Sequence, residues 1–401
     1  MKTKLPFSSL LWFALLSMLG FLATDMYLPA FETIRTEMET TQSLIGLSLS
    51  LFLLGMALGQ LIYGPLSDRY GRIRVLVGGL ALFTIATVAT SVSASIEVFL
   101  AARFLQALGA CSATVIWQAV VIDRYDSSTG QRVFATIMPL VALSPALAPL
   151  AGAFLEAHLG WRSIFFTLIA IGIALIAMTL RQEESNKNLS KDSNPIEDIK
   201  KNYSVILKSK KFIGNMMIFA GCSAAFFAWL TGSPFVMTEM GYSGADIGLS
   251  YVPQTIAFIL GGYGCRSLLG RYEGTTILPW LLKLFVVSIV VMFAITWQFN
   301  PSVIWPVLAP FCLLAVANGA VYPIVVNQAL EDFKQCSATA AGLLNFLQTM
   351  VCFLASGVVS ALAANGLMTV MEVMMVCAAT VIIGYSLTVM ARREPELATQ
   401  S

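Results

Sequence analysis

The sequence predicts an all-α integral membrane protein with twelve transmembrane helices in two six-helix bundles. Hydrophobic residues make up 57% of the 401 positions and charged residues only 11%, whereas soluble domains are about half apolar and about one quarter charged. The apolar residues lie in runs of roughly 20, the length that an α-helix needs to cross a hydrocarbon core of about 30 Å. These runs are continuous rather than alternating, which excludes a membrane β-barrel.

Twelve such runs follow one another along the chain. The first comes after Lys2 and Lys4, as in a signal peptide, but it continues past signal-peptide length without a small-residue cleavage site. We therefore expect it to be a retained helix. The predicted spans are residues 10–31, 43–64, 74–92, 96–120, 132–155, 163–181, 212–236, 245–265, 276–297, 303–324, 337–363 and 367–391.

The distribution of Lys and Arg predicts the orientation. If the amino terminus is cytoplasmic, the outer loops contain only Arg35 and Arg162. The inner segments then contain the eight basic residues from Arg181 to Lys211 together with Lys2, Lys4, Arg69, Arg72, Arg74, Arg124, Arg132, Arg266, Arg271, Lys334, Arg392 and Arg393. This bias predicts cytoplasmic amino and carboxyl termini. No basic cluster is left over to bind nucleic acid.

A polar stretch divides the chain. Residues 182–211 are too hydrophilic to bury, and they predict a cytoplasmic linker between an amino-terminal bundle, residues 1–181, and a carboxy-terminal bundle, residues 212–401. The part from Ile196 to Leu207 has two interpretations, a flexible tether or a short amphipathic helix on the membrane surface.

The residue types that hold metals or catalyse reactions are scattered. The seven cysteines show no CxxC spacing and His158 is the single histidine, so we expect no metal site. No phosphate-binding glycine loop and no Ser/His/Asp set is recognisable. The sequence therefore predicts neither an enzyme nor a protein with a bound cofactor.

Asp25 is the carboxylate that lies deepest in a predicted span, about six residues or roughly 9 Å below its outer end. An ionisable group at such a depth indicates a functional site. Arg103, in the fourth span, lies at a similar depth. Two interpretations follow for these residues, a proton or cation site facing a cavity, or a permanent buried ion pair that only joins helices one and four.

The loop after the second span reads GPLSDRYGRIR, residues 64–74. Gly64 and Pro65 are expected to reverse the chain tightly. Asp68 is expected to accept hydrogen bonds from the positive amino-terminal end of helix eleven near Ser337. The charged residues act either as a cytoplasmic gate or merely as positive-inside anchors. The gate residues are Gly64, Asp68, Arg69, Gly71, Arg72 and, at the end of helix four, Asp123.

This loop resembles the GxxxDRxGR signature of the major facilitator superfamily, and the twelve spans with a central loop fit that superfamily over the whole chain. ARFLQALGA, with Arg103 and Gln106, resembles its fourth-helix signature. MPLVALSPALAPLAGAF resembles the fifth-helix motif of its antiporters through Pro145, Pro149 and Gly152, although Ser144 and Ala148 stand where glycines are expected.

Two further resemblances are narrower. TDMYLPAF, with Asp25, Tyr27 and Pro29, is similar to the first helix of the Bcr/CflA-type drug–proton antiporters. CSAAFFAWLTGSPF, EMGYSGADIGLSYVPQT and NGAVYPIVVNQAL resemble the PunC/YdhC-type members of that group, which are associated with purine nucleosides.

The resemblance implies a monomeric, proton-driven antiporter of the multidrug efflux type that moves small organic molecules across the bacterial inner membrane. A purine nucleoside transporter of the same fold is the alternative, and a non-transporting membrane sensor is the alternative from another class. Polar and aromatic residues on helices implied to line the cavity are either substrate contacts or packing residues. They are Tyr27, Gln106, Trp117, Gln118, Phe227, Trp229, Gln254, Asn318, Tyr322, Asn345 and Gln348.

Overall fold

The computed structural model describes residues 7–186, 195–242, 244–299, 301–362 and 366–398. Within these ranges the chain is helical and contains no β-strand. The helices are α1 Phe7–Asp25, α2 Phe31–Glu37, α3 Gln42–Tyr70, α4 Arg72–Ser91, α5 Ile96–Arg124, α6 Ser127–Leu159, α7 Arg162–Leu180, α8 Pro195–Lys208, α9 Lys210–Glu239, α10 Gly244–Leu268, α11 Gly274–Phe299, α12 Trp305–Leu330, α13 Ser337–Ala361 and α14 Leu367–Ala398.

Twelve of the described helices have 19 residues or more, one for each predicted span. Nine described segments are long and apolar enough to cross a membrane, and one of them, Trp305–Val359, contains α12 and nearly all of α13. The remaining two long helices are α10 and α6, whose second part, Leu147–Leu159, is a shorter apolar segment. The predicted all-α membrane fold is confirmed.

The first span is not one continuous helix. α1 ends at Asp25, a 3-10 turn covers Leu28–Ala30, and α2 follows directly. Pro29 has no N–H, so the carbonyl of Asp25 has no helical donor four residues later. The N–H of Ala30 instead donates to the carbonyl of Tyr27 at 3.0 Å. The helix therefore breaks immediately after the acid.

The predicted reversal at Gly64 and Pro65 is wrong. α3 continues through both residues to Tyr70, since one proline removes a single backbone hydrogen bond and a packed membrane helix tolerates that loss. The chain turns at Gly71, whose φ of 99° is a conformation that glycine adopts without steric cost. α4 begins at the next residue.

The helices form two compact units. In unit 1, α5 packs against α1, α3 and α4, and α7 packs against α1 and α4. Unit 1 also includes α6 from Leu140 onward and the segment Phe333–Asn345, with the first turns of α13. In unit 2, α12 packs against α9, α10 and α11, while α14 packs against α9 and α11.

The linker contains a helix. Of the two interpretations of residues 196–207, the structure has the helical one, α8, in which Ile206 is buried while Val205 and Leu207 are exposed. Residues 187–194 lie outside the described part of the chain. Residues 182–186, which were predicted as the start of a polar linker, have a defined place in unit 1.

Candidate functional site

A buried cluster of charges is built around the turn between α3 and α4. Arg72, the first residue of α4, has no exposed surface, and its guanidinium forms an ion pair with Asp68. Its Nε donates to the Oδ2 of Asp123 at 2.9 Å, and its Nη2 donates to the Oγ of Ser337 at 2.8 Å. Two carboxylates thus face one guanidinium, which offsets the cost of burying its charge.

Asp68 also binds the amino-terminal end of α13. The backbone N–H groups of Ala338 and Thr339 donate to its carboxylate at 3.2 and 2.8 Å, and the hydroxyl of Thr339 donates to it as well. The first N–H groups of a helix have no partner within the helix and carry partial positive charge, so they stabilise an anion. The contact predicted between Asp68 and this helix end is present.

The other residues of the predicted gate take different places. Gly64, one turn before Asp68, lets α13 approach, because a Cβ there would lie 2.6 Å from the carbonyl oxygen of Ala338. Asp123 accepts a further hydrogen bond from Ser337 at 2.7 Å. Arg69 is half-buried, and its guanidinium carbon lies 5.8 Å from the ring centroid of Tyr70.

The start of the linker binds the same cluster, a contact that the sequence does not predict. The side chain of Asn186 donates to the carbonyl of Asp68 at 2.8 Å, and Ser185 donates to Asp123 at 3.3 Å. Glu184 accepts from the backbone N–H of Arg72 at 2.9 Å. The sequence offers only a weak signal for these contacts, namely a polar stretch that directly follows the sixth span.

Asp25 lies at the helix break and is half-buried. Among the described residues, none forms a hydrogen bond or ion pair with its carboxylate. No guanidinium nitrogen of Arg103 lies within 4.0 Å of a carboxylate oxygen of Asp25, the distance limit for an ion pair. The permanent ion pair between Asp25 and Arg103 is therefore not the arrangement in this structure.

Arg103 is fully buried and held by other groups. Its Nη1 donates to the carbonyl of Ala23 at 3.1 Å and to the Oε1 of Gln106 at 2.5 Å. Its guanidinium carbon lies 3.9 Å from the ring centroid of Tyr27 and 4.4 Å from that of Phe52. Cation–π contacts of this kind are strongest when the cation is removed from water. No carboxylate of the described residues pairs with this guanidinium.

Two residues from the predicted cavity set support this guanidinium. The hydroxyl of Tyr27 is hydrogen-bonded to Ser48 at 3.1 Å. Gln106 accepts from Arg103 and donates to Thr87 at 2.8 Å. Both are fully buried and have polar partners inside unit 1. Their role in substrate binding stays a prediction.

The antiporter-type segment of α6 packs on the break in the first span. A Cβ added to Gly152 would overlap the carbonyl oxygen of Met26, which directly follows Asp25. Pro149 is half-buried, and the side chain of Pro145 lies outside the described part of the chain. Gly152 thus brings α6 against the backbone that positions the acid.

Replacing Gly152 with alanine is expected to separate α6 from the break, because a carbonyl oxygen cannot move aside as a flexible side chain can. The expected loss is about 1–3 kcal/mol of stability, the usual cost of overpacking. The thermal unfolding midpoint of detergent-purified protein measures it. Gly78→Ala is the matched control, since a Cβ at Gly78 in α4 meets nothing within 4 Å. Equal unfolding midpoints for the two variants would contradict the overlap.

A second acid links the outer ends of unit 1. Glu37, at the end of α2, accepts from the indole N–H of Trp161 at 2.6 Å and forms an ion pair with Arg162. The hydrogen bond that Arg162 donates lowers the pKa of Glu37 most, and the hydrogen bond from Trp161 lowers it further. Glu37 therefore stays ionised near neutral pH and holds α2 in place beyond the break.

The remaining candidates in unit 1 are buried in helix contacts. The ring of Trp117 lies 6.4 Å from that of Phe13. Gln118 accepts from the side-chain amide of Asn345 at 3.1 Å. This bond ties α5 to the part of α13 that belongs to unit 1.

Several of the predicted cavity residues in unit 2 are aromatic. Trp229 stacks on Phe311 with ring centroids 4.7 Å apart and is fully buried, whereas Phe227 is 42% exposed. Tyr322 makes an edge contact with Phe219 at 5.2 Å.

The amide candidates in unit 2 are partly satisfied. Asn318 donates to the carbonyl of Cys222 at 3.2 Å, and Gln348 donates to the Sγ of Cys352 at 3.1 Å. Gln254 donates to the carbonyl of Ser250 at 2.9 Å. Within the described part of the chain, the Oε1 of Gln254 and the Nε1 of Trp229 are buried without a hydrogen-bond partner.

Comparison with known proteins identifies the family. The sequence pattern of the Major Facilitator Superfamily matches residues 13–356. The chain belongs to the Major Facilitator Superfamily. It is therefore a multi-pass membrane transporter that moves small molecules, and not an enzyme.

Two relatives whose names refer to drug resistance are similar to this chain over most of its length. The chloramphenicol resistance protein of Pseudomonas aeruginosa is 30% identical over 339 residues, which cover 81% of this chain and 77% of the relative. Multidrug resistance protein D of Escherichia coli is 25% identical over 368 residues, covering 91% and 90%. The crystal structure of the superfamily transporter FucP in its outward conformation matches 95% of this chain and 99% of its own, with a TM-score of 0.74 at 14% identity, and supports the fold.

Proposed function

We propose that this chain is a proton-driven antiporter of the bacterial inner membrane that exports small organic molecules, as multidrug transporters do. The observation that carries the proposal is Asp25, a half-buried carboxylate inside a predicted span with no partner among the described residues. A charge in that position is costly, and the carboxyl-terminal end of α1 adds partial negative charge beside it. Binding a proton removes both costs, so the group is suited to exchange protons with water.

Arg103 contributes through the backbone of α1. Its hydrogen bond goes to the carbonyl of Ala23, two residues before Asp25, and not to the carboxylate. A proton that binds Asp25 therefore has no ion pair to displace. Movement of the end of α1 would change both the surroundings of the Asp25 carboxylate and the hydrogen bond from Arg103 to Ala23. Proton binding is thereby linked to the position of α1.

The charge cluster around Arg72 is proposed to be the cytoplasmic gate. It joins α3, α4, α5 and the start of α13 through buried charges rather than through apolar contacts alone. Charge-assisted hydrogen bonds are strong when formed and costly to leave half-made. Such a cluster favours a discrete closed arrangement over a continuum of intermediate ones.

A purine nucleoside transporter is the second candidate. Within the described part of the chain, the Oε1 of Gln254 and the Nε1 of Trp229 have no hydrogen-bond partner. These buried atoms favour the second candidate, since such acceptors and donors can bind the edge of a heterocycle. The names of the two relatives, by contrast, refer to drug resistance. In either case the proton gradient is proposed to supply the energy without a bound cofactor, and one chain is proposed to act as a monomer.

Flux into proteoliposomes under an imposed pH step tests the proposal. We expect a cationic dye to accumulate against its gradient when the pH step is present, and to stop when an ionophore collapses that step. Accumulation of a radiolabelled purine nucleoside instead would favour the second candidate. Binding of either molecule without any flux would overturn both and favour a membrane sensor.

A further inference from the structure

The first residues of the central linker form a small structure of their own on the cytoplasmic charge cluster. Glu184 accepts from the backbone N–H of Arg72 at 2.9 Å and from that of Ile73 at 3.1 Å. It also accepts from the N–H of Asn186 at 3.0 Å. These contacts place one carboxylate on the first turn of α4.

α4 lacks the usual means of capping that turn. The residue at its N-cap is Gly71, which has no side chain to accept from the helix. The orphan N–H groups of Arg72 and Ile73 are satisfied by Glu184 instead. An acidic group there also suits the positive end of the helix dipole.

Gly71 leaves the space that Glu184 occupies. A Cβ at Gly71 would lie 2.5 Å from the Oε2 of Glu184. The positive φ of Gly71 and this absence of a side chain are independent reasons for a glycine at the turn. The motif glycine and the linker acid therefore fit each other.

Two neighbours of Glu184 bind the acids of the cluster. Asn186 is 5% exposed and donates to the backbone carbonyl of Asp68. Ser185 donates to the carboxylate of Asp123. Residues 184–186 thus form hydrogen bonds with all three charged residues of the cluster, Arg72, Asp68 and Asp123.

We propose that Glu184 and Asn186 are positioning residues that hold Arg72 and Asp68 in the geometry of the closed cytoplasmic gate. The inference rests on the proposed gate and extends it to the linker. Loss of the cap would let the first turn of α4 fray, and Arg72 is the first residue of that turn. The gate would then open more readily without any change to its own three charged side chains.

Cys336 is a native reporter of this gate. It directly precedes Ser337, is 8% exposed, and lies at the edge of the cluster. In inverted membrane vesicles, the rate at which a membrane-impermeant maleimide modifies Cys336, identified by peptide mass spectrometry, measures how often the cluster opens. A structural role away from the gate would not change that rate.

Glu184→Ala is expected to increase the modification rate by about 5-fold, which corresponds to the loss of one helix cap. Asn186→Ala is expected to increase it by a similar factor of about 5, which corresponds to the loss of one buried hydrogen bond to the carbonyl of Asp68. Glu184→Gln keeps one accepting oxygen, so its rate should lie between those of wild type and Glu184→Ala. The matched control is Glu183→Ala. The backbone oxygen of Glu183 accepts from Arg124 at 2.6 Å, and its side chain has no hydrogen-bond partner among the residues that the structure describes. Its rate should equal that of wild type.

Asp68→Ala separates the inference from the proposal on which it rests. If Asp68→Ala increases the modification of Cys336 but Glu184→Ala and Asn186→Ala do not, the positioning role is wrong and the gate stands. If Asp68→Ala leaves the rate unchanged, the gate itself is wrong. An equal increase in Glu183→Ala would show a general effect of the linker and would also overturn the positioning role.

Discussion

Asp25→Asn is expected to abolish proton-driven exchange while the substrate still binds, with an affinity that no longer depends on pH. In the wild type, a proton on Asp25 and the substrate should oppose each other, so affinity should fall as pH falls. A typical coupling free energy of about 1–3 kcal/mol corresponds to a change of about 5- to 150-fold. Equilibrium binding of a fluorescent cation to purified protein at several pH values measures this change.

Glu37→Gln is the matched control for Asp25→Asn. Both changes neutralise one acid in the first part of unit 1, but Glu37 lies beyond the predicted span and pairs with Arg162. We expect it to retain pH-dependent binding and flux. If Asp25→Asn keeps the wild-type pH dependence, the proton site lies elsewhere and the exchange mechanism proposed for Asp25 is wrong.

Asp68→Ala is expected to reduce transport by about 10- to 100-fold at normal membrane abundance. The change leaves the first N–H groups of α13 and part of the guanidinium of Arg72 without their acceptor. Breaking a buried pair on one side typically costs about 3–5 kcal/mol, and only part of that cost needs to fall on the closed arrangement to explain such a loss. Flux in proteoliposomes, normalised to the amount of folded protein, measures it.

Arg74→Ala distinguishes a gate from a simple anchor. Arg74 is exposed and lies in the first turn of α4, two residues after Arg72. Positive-inside anchoring depends on Lys and Arg and hardly on acids, so it predicts a larger effect for Arg74→Ala than for Asp68→Ala. The gate predicts the reverse order. Full activity in Asp68→Ala would favour anchoring.

One distant contact was predicted from sequence. Asp68 was expected to meet the start of α13, since a carboxylate and a helix amino terminus attract each other where the fold brings them together. The helix break after Asp25 was not predicted, although Pro29, which causes it, is visible in the sequence.

Other contacts depend on rotation and lateral packing. Hydropathy places Asp25 and Arg103 at similar depths, but depth along a helix does not say which way a side chain faces. The structure directs Arg103 to Ala23, Gln106 and two aromatic rings. None of the described residues pairs with the carboxylate of Asp25. The interpretation as an ion pair failed for that reason.

The position of the first linker residues could not be predicted from sequence either. Its first residues are polar, and polarity alone indicates contact with water rather than a docked segment. Glu184 finds its partners only because Gly71 turns the chain and exposes the first N–H groups of α4. No local pattern within residues 182–186 specifies that meeting.

Composition and the length of the apolar runs were sufficient for the membrane class, the helical fold and the twelve long helices, because the bilayer imposes one length and one way of satisfying the backbone. The isolated acid in the first span was equally visible. Which groups surround that acid, where the chain turns after α3 and what caps α4 depended on three-dimensional packing. Those features arise from residues far apart in sequence, whose distances are set only when the helices come together.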